Sequence, residues 1–193
     1  MQRWMRFFNV TVLVTLIFVL TQAQDAKNSP AYPSKGFRLE FLRGFDDLEK
    51  KFLDLAEAFP VDKYAWRPAE GVRSVGEVLG HVAGGNYGYG VWLGVKVPQN
   101  VDRQGLEKMS EKSKLIDALK QSFDHYRKAV LRIPDEDLEK AVKVLNREGT
   151  MREALLFVAA HQPEHLGQLI AYARMNGVVP PWTAERQQQQ MKK

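Results

Sequence analysis

Two histidines near the carboxyl end of the chain, His161 and His165, are the first candidates for chemistry. They stand four residues apart in the segment HQPEH, with Glu164 between them. On a helix, side chains four residues apart lie on one face, and two imidazoles placed in this way can bind one metal ion. The same pair could instead be hydrogen-bonded core residues, because a buried imidazole must satisfy both ring nitrogens. The pair alone leaves both interpretations open.

The segment HQPEH also fits the H-x-x-E-H pattern of the inverted zinc peptidases. Those enzymes imply a third, acidic ligand far downstream, whereas the only acid after His165 is Glu185, close to the end of the chain. The peptidase interpretation is therefore disfavoured. Glu164 is still a candidate catalytic residue, because it could act as a base near metal-bound water, orient a ligand, or be an ordinary interhelical charge.

A third histidine, His81, lies in the glycine-rich segment GHVAGGNYGYG. It falls at the border of an apolar face and could complete a three-histidine metal site if its helix lies beside that of the other two. The glycines remove side-chain bulk around it, which suits either a close helix contact or an open pocket. Asn86, in the apolar stripe of the same segment, and Gln168 and Tyr172, on the histidine face, are candidate orienting or catalytic residues. His125 lies off the apolar stripe of its own segment, which indicates a solvated surface.

Four amphipathic helices are predicted from apolar residues that recur at steps of three and four. They cover residues 37–59, a segment that begins at residue 74, about residues 110–133, and residues 150 to about 176. Ser74 and Thr150 each precede a glutamate by three residues, which is the spacing of a capping box at a helix start. Pro163 falls inside the fourth helix and should kink it. The sequence therefore predicts an all-α fold, a four-helix bundle.

The inner face of the fourth helix follows from a rotation of about 100° per residue. Both histidines fall on this face, and we expect them to point toward the bundle axis. The predicted face comprises Ala154, Phe157, Val158, His161, His165, Gln168, Leu169 and Tyr172.

The two ends of the chain are predicted to lie outside the bundle. Residues 1–23 combine a short basic start with an apolar run that is short for a membrane span of about 20 residues, so we expect a signal peptide or an uncleaved anchor. Residues 24–35 are predicted to be a linker, 36–182 the globular domain and 183–193 a polar tail without fixed structure. The domain is therefore expected to be exported, either periplasmic or secreted, with membrane contact only through an uncleaved leader.

Composition excludes several classes of function. The chain has no cysteine, which excludes disulfides, thiolate metal ligands and a cysteine nucleophile. Its formal net charge is +5, and Lys and Arg are interspersed with Asp and Glu, so a nucleic-acid-binding surface is not expected. The expected partner is a small-molecule substrate of unknown identity. The apolar stripe of the first helix could serve the core alone or also a homodimer.

Three segments of the chain together resemble one known family. They are YAWRPAEGVRS, SVGEVLGHVA and HQPEHLGQLIAYARMNGVVPP, and they resemble the DinB-like proteins, damage-inducible-type four-helix bundles related to bacterial thiol-dependent transferases and isomerases. The resemblance covers about residues 37–182 and implies a divalent ion held by His81, His161 and His165. The ion could be zinc, nickel or an iron-type metal, because three neutral imidazoles do not choose strongly among them. The resemblance also implies open coordination positions, which are typical of a catalytic site.

The favoured hypothesis is a metal-dependent enzyme, hydrolase or thiol-transferase-like, in which the ion lowers the pKa of a bound water or thiol. Its candidate catalytic residues are Glu164, Asn86 and Tyr172. The related enzymes use cytosolic thiols, and the export leader departs from that pattern. The alternatives are a non-catalytic exported metal-binding bundle and a structural bundle whose histidines are hydrogen-bonded core residues. An enzyme predicts an open pocket near Gly84 to Gly88 with fewer than four protein ligands.

Overall fold

The protein is described by a computed structural model over residues 31–192, and in this range most of the chain is helical. The range contains six α-helices and one two-stranded antiparallel hairpin. The helices are α1 (Phe37–Ala58), α2 (Val75–Trp92), α3 (Arg103–Glu107), α4 (Lys112–Leu131), α5 (Met151–Met175) and α6 (Pro181–Met191). The hairpin pairs β1 (Ala141–Val144) with β2 (Arg147–Thr150). The predicted leader, residues 1–23, and most of the predicted linker lie outside the described residues.

None of the helices in the described range has the length and apolar character needed to cross a membrane.

Both helices that carry the candidate ligands, α2 and α5, begin with the predicted capping boxes. The hydroxyl of Ser74 accepts from the backbone N–H of Glu77 at 3.2 Å, and the Glu77 carboxylate accepts from the backbone N–H of Ser74 at 2.7 Å. Thr150 and Glu153 make the same reciprocal pair, at 3.1 and 2.8 Å. These bonds satisfy amides that the helix itself leaves unpaired, so local sequence fixes where each helix begins.

The four long helices share one core. α1 and α2 each pack against both α4 and α5. Aromatic rings fill the space between α1 and α4, where the ring centroid of Phe45 lies 4.9 Å from that of Phe123 and 5.2 Å from that of Tyr126. Side-chain packing fills the space between these two helices, and the candidate ligands lie between α2 and α5.

A short helix, α3, packs against the glycine-rich face of α2, in a region outside the four predicted helices. A Cβ atom added to Gly80 would lie 2.2 Å from the carbonyl oxygen of Leu106, and one added to Gly84 would lie 3.1 Å from that of Arg103. The glycines therefore permit a close helix contact. α3 has no detectable apolar period because it is five residues long and buries only Leu106.

The all-α prediction is wrong in one respect, since β1 and β2 form a hairpin between α4 and α5. Each strand has only four residues. The turn between them places Leu145 and Asn146 at φ 49° and 65°, without the glycine that usually marks such a turn. The polar tail also differs from the prediction, because residues 181–191 form α6, although none of its residues is buried.

Candidate metal centre

The three predicted histidines come together between α2 and α5. One ring nitrogen of His81, on α2, lies within 4.8 Å of a ring nitrogen of both His161 and His165, on α5. The Nε2 atoms of His161 and His165 are 3.1 Å apart. Within the described residues this is the only group of three or more such side chains close enough to share a metal ion.

The histidines lie on the flank of α5 and not toward the bundle axis, so that part of the prediction is wrong. The residues of α5 that face the core are Ala154, Leu155, Val158, Gln162, Leu166, Leu169, Tyr172 and Ala173. His161 retains 26% exposure of its side chain. Apolar residues of α5 recur at steps of three and four, and a buried face centred one residue away fits this pattern as well. The pattern alone therefore does not decide which of two neighbouring residues is buried. Solvent access at the flank also spares His161 the cost of full burial.

Each of the three imidazoles has an oxygen atom next to its Nδ1. An oxygen of a carboxylate or amide can only accept there, so it favours the tautomer with the proton on Nδ1 and the lone pair on Nε2. The oxygens are Glu107 Oε1 for His81 (2.7 Å), Glu164 Oε2 for His161 (2.9 Å) and Gln168 Oε1 for His165 (3.5 Å). This arrangement prepares Nε2 of each ring for coordination.

The spacing of the two Nε2 atoms on α5 fits a shared divalent ion. At 3.1 Å the two atoms can share one proton in a hydrogen bond between the rings, or both can direct lone pairs at one cation. Metal–nitrogen bonds of about 2.0–2.1 Å place neighbouring ligand nitrogens roughly 2.9–3.4 Å apart in octahedral or tetrahedral geometry. The observed separation falls in that range, so His161 and His165 fit one ion, and a ring nitrogen of His81 lies within 4.8 Å of both.

The electrostatics also favour a neutral imidazole at His165. Burial, and then the charges that His81 and His161 can carry, lower the pKa of His165 to about 4. His165 is therefore a neutral ligand throughout the physiological range. Burial opposes ionisation of Glu107, but hydrogen bonds from His81 and Arg73 outweigh it and lower the pKa of this carboxyl.

A chain of hydrogen bonds connects the partner of His81 to the partner of His165. Arg73 Nε donates to Glu107 Oε2 at 3.2 Å, and the backbone oxygen of Arg73 accepts from the Tyr172 hydroxyl at 3.1 Å. That hydroxyl accepts from Gln168 Nε2 at 2.7 Å. Neither Arg73 nor Glu107 can be identified from the sequence alone, because neither lies on a helix that the apolar pattern could detect. Tyr172 is 4% exposed, and its hydroxyl both donates one hydrogen bond and accepts another.

Asn86 lies in the core, away from the three imidazoles. It is 0% exposed, and its Nδ2 donates to Ser122 Oγ at 3.1 Å. Its Oδ1 accepts from Gln162 Nε2 at 2.7 Å. Asn86 therefore joins α2 to α4 and α5 through a buried polar network. Glu164, by contrast, is on the surface, with a side chain 70% exposed.

His125 is not a solvated surface residue, as the sequence suggested. Its ring packs 4.9 Å from the ring of Tyr87, and Gly90 lies against it. Burial lowers its pKa. It takes no part in the histidine cluster, which makes it a natural comparison residue for experiments on the other three.

An open groove of about 1040 Å³ lies beside His81 and His161. Gly84, Gly85 and Gly88 also line it, together with five larger side chains: Tyr89, Trp92, Arg103, Leu145 and Phe157. None of these five was predicted as a site residue. A signal for two of them exists, because Tyr89 and Trp92 follow His81 by eight and eleven residues and therefore share its helix face.

Comparison with known proteins identifies relatives of this chain. The sequence pattern of the DinB superfamily matches residues 45–169. A solved DinB-like protein from Bacillus cereus ATCC 10987 superposes with a TM-score of 0.65 and 17% identity, covering 73% of this chain and 93% of that one. A DinB-like protein from Bacillus subtilis gives a TM-score of 0.58 and 20% identity, covering 72% of this chain and 93% of that one. At such identities the structures show the shared fold alone. No curated protein matches the chain.

Proposed function

The chain belongs to the DinB superfamily, and from this premise we propose that residues 36–182 form a four-helix bundle that acts as a metal-dependent enzyme on a small molecule. In this proposal His81, His161 and His165 hold one divalent ion. The adjoining groove receives the substrate.

One observation carries the proposal. All three imidazoles have an acceptor at Nδ1, and two of them direct Nε2 atoms at each other across 3.1 Å. A structural pair could hydrogen-bond Nε2 to Nε2 at this distance, but it would not account for the third imidazole, that of His81, with a ring nitrogen within 4.8 Å of both. The arrangement is therefore better explained by a ligand set than by core packing.

A bound divalent ion at this site would supply a Lewis acid that lowers the pKa of a coordinated water or thiol. The residues of the chain hold and orient the ligands. Glu107 and Gln168 fix two imidazoles from the protein side, and Glu164 fixes the third from the solvent side. We assign Tyr172 and Asn86 to positioning, since Tyr172 orients Gln168 and Asn86 joins three helices.

The open groove supports an enzyme over a closed metal carrier. His81 and His161 both line it, so a substrate in the groove would reach an ion held by these residues. The carboxylate of Glu107 is already engaged by His81 and Arg73. Three protein ligands beside an accessible space are typical of catalytic metal sites, whereas structural sites are usually closed by a fourth.

The test is the metal content of the purified full-length chain by elemental mass spectrometry, after loading with zinc and separately with nickel. We expect about one ion per chain in the wild type and in His125→Ala, the control that removes the fourth histidine of the chain. We expect no retained ion in His81→Ala or His165→Ala. If all four proteins bind the same amount, or none binds any, the three-histidine site is wrong.

The reaction type and location form separate parts of the proposal. The predicted leader supports a site that works outside the cytoplasm, and amino-terminal sequencing of the protein recovered from cell fractions would test cleavage and export. Substrate screening with and without low-molecular-weight thiols would then separate a thiol-transferase from a hydrolase. A hydrolase retains its full rate without thiol.

A further inference from the structure

We infer that the groove beside the histidines binds a monoanionic ligand with an apolar body, and that its specific class is an aromatic or aliphatic carboxylate. In this inference Arg103 binds the carboxylate, and the rings of Tyr89, Trp92 and Phe157 contact the apolar body. This inference rests on the proposed function, because it names the substrate class of the same site.

Arg103 is a cation on the wall of the groove with no acidic partner in the part of the chain that the structure describes. Its Nε donates to the carbonyl oxygen of Gly84 at 2.8 Å, and its guanidinium lies over Gly88, where an added Cβ would be 2.2 Å from Nη2. The two Nη groups are left for another partner. By contrast, five other arginines pair with carboxylates: Arg38, Arg67, Arg73, Arg127 and Arg152.

The position of Arg103 follows from the glycines of α2. Gly84 and Gly88 lie one helix turn apart and present no side chain, so the arginine can lie flat along the helix. The bond from Nε to the Gly84 carbonyl fixes the plane of the guanidinium. A planar fork held in this way matches the two oxygens of a carboxylate, which it can bind with two parallel hydrogen bonds.

The charges around the groove favour a single negative charge on the ligand. Apart from Arg103, the ionised side chains that line it are Asp102 and Glu107, both acidic. With a divalent ion on the histidines, the groove has one positive charge in excess. A carboxylate balances that charge, whereas a phosphate dianion would exceed it and face two carboxylates at close range.

Three aromatic side chains form an apolar wall in the same groove. Ring centroids are 5.1 Å apart for Tyr89 and Trp92, 5.3 Å for Trp92 and Phe157, and 5.7 Å for Tyr89 and Phe157. Leu145 adds an apolar side chain at the rim, 58% exposed and at φ 49°, a conformation that leucine rarely adopts. A ligand with an apolar body would cover these surfaces, since apolar area removed from water stabilises binding.

The experiment is calorimetric titration of the zinc-loaded, full-length chain with 4-phenylbutyrate and with 4-phenyl-1-butanol, its neutral counterpart. We expect the acid to bind about 10- to 100-fold more tightly than the alcohol, because a charge-assisted pair is added. In Arg103→Met we expect acid and alcohol to bind alike, and in Arg103→Lys an intermediate preference. Arg174→Met, which changes an exposed arginine of α5, is the matched control and should behave as wild type.

Zinc content measured on the same samples separates this inference from the proposed function. Loss of the acid preference in Arg103→Met with zinc retained supports the inference. An acid preference that disappears when zinc is removed but is unchanged in Arg103→Met means that the ion alone holds the carboxylate, and overturns it. Equal affinity of the wild type for acid and alcohol, or tighter binding of phenyl phosphate than of the carboxylate, also overturns it. If no zinc binds but the Arg103-dependent preference persists, the anion site stands and the metal proposal fails.

Discussion

Two neighbouring residues of α5, His161 and Gln162, face different environments. Each belongs to a different group of polar side chains, the histidine cluster or the buried network of Asn86. His161 lies beside the groove, in the histidine cluster. Gln162 is 1% exposed and donates to Asn86, which in turn donates to Ser122. In the buried network, each of these bonds joins one helix to another. In the cluster, oxygen atoms occupy Nδ1 of each ring, and the Nε2 atoms of His161 and His165 face each other. Polar residues of one helix thus serve packing or binding according to whether their partners lie on other core helices or beside the open groove.

The same substitution at the two neighbouring positions should give opposite results, and this is the largest effect we expect. His161→Leu should weaken zinc binding by more than about 100-fold, because loss of a ligand exceeds the 10- to 100-fold loss typical of an outer partner. Its metal-free stability should change little. Gln162→Leu should keep zinc but lose about 1–3 kcal/mol of unfolding free energy, because Asn86 loses its donor partner in the core.

Zinc titration and urea unfolding of both variants check this prediction. The control is Gln121→Leu, which changes an exposed glutamine on α4. Should Gln162→Leu lose zinc while His161→Leu keeps it, the two environments have been assigned the wrong way round.

The buried network can be examined on its own through a double-mutant cycle. Asn86→Leu and Gln162→Leu each leave a polar group without its partner, so each should be destabilising by about 1–3 kcal/mol. The double variant should be less destabilised than the sum by about 1–2 kcal/mol, since both polar partners are removed together. Urea unfolding of the metal-free proteins provides the four free energies. Strict additivity would mean that the bond at 2.7 Å between the two amides contributes nothing.

The two carboxylates that contact histidines, those of Glu107 and Glu164, differ in solvent exposure. Their substitution therefore compares a partly buried with an exposed partner of a ligand. The Glu107 carboxylate has two partners and a side chain 38% exposed, whereas that of Glu164 is 70% exposed. Glu107→Ala should weaken zinc binding about 10- to 100-fold, as expected for an outer partner of a ligating histidine. Glu164→Ala should have a smaller effect, about threefold, because water replaces an exposed acceptor at little cost. Competition with a zinc chelator measures both, and an equal loss would contradict the role of burial.

The sequence contains enough to predict the helices and two of their starts, because apolar periodicity and capping spacing are local. Ser74 and Thr150 cap the helices as predicted. The same local pattern places the three histidines on two helices. It does not determine the rotation of a helix about its axis to within one residue. For this reason the buried position was assigned to His161, and Gln162 was overlooked.

Contacts between segments distant in the chain are beyond such patterns. Glu107 reaches His81 from α3, which is too short to show a period, and Arg103 reaches the groove only because glycines of α2 allow a close approach. The hairpin that presents Leu145 depends on two positive φ angles without a glycine. Predicting these features requires knowing which surfaces meet.

The smallest effect we expect concerns the capping box that begins α2, the helix that carries both His81 and Asn86. Ser74→Ala should lower the unfolding free energy by about 1 kcal/mol and leave zinc content unchanged, because the cap fixes the helix start and not the ligands. A larger loss, or a loss of zinc, would show that the cap also determines how α2 is oriented.

The acid of that capping box, Glu77, makes the stability of the fold depend on pH. The backbone N–H of Ser74, and then Arg67, lower the pKa of Glu77 in the folded protein. An acid with a lowered folded pKa stabilises the fold above its unfolded pKa, and this contribution is lost as the pH falls through the folded value. Glu77→Gln keeps an acceptor but does not titrate, so the stability difference between wild type and Glu77→Gln should be constant from pH 7 to about 5 and shrink below about 4. A difference that persists unchanged into acid would show that the hydrogen bond matters and the charge does not.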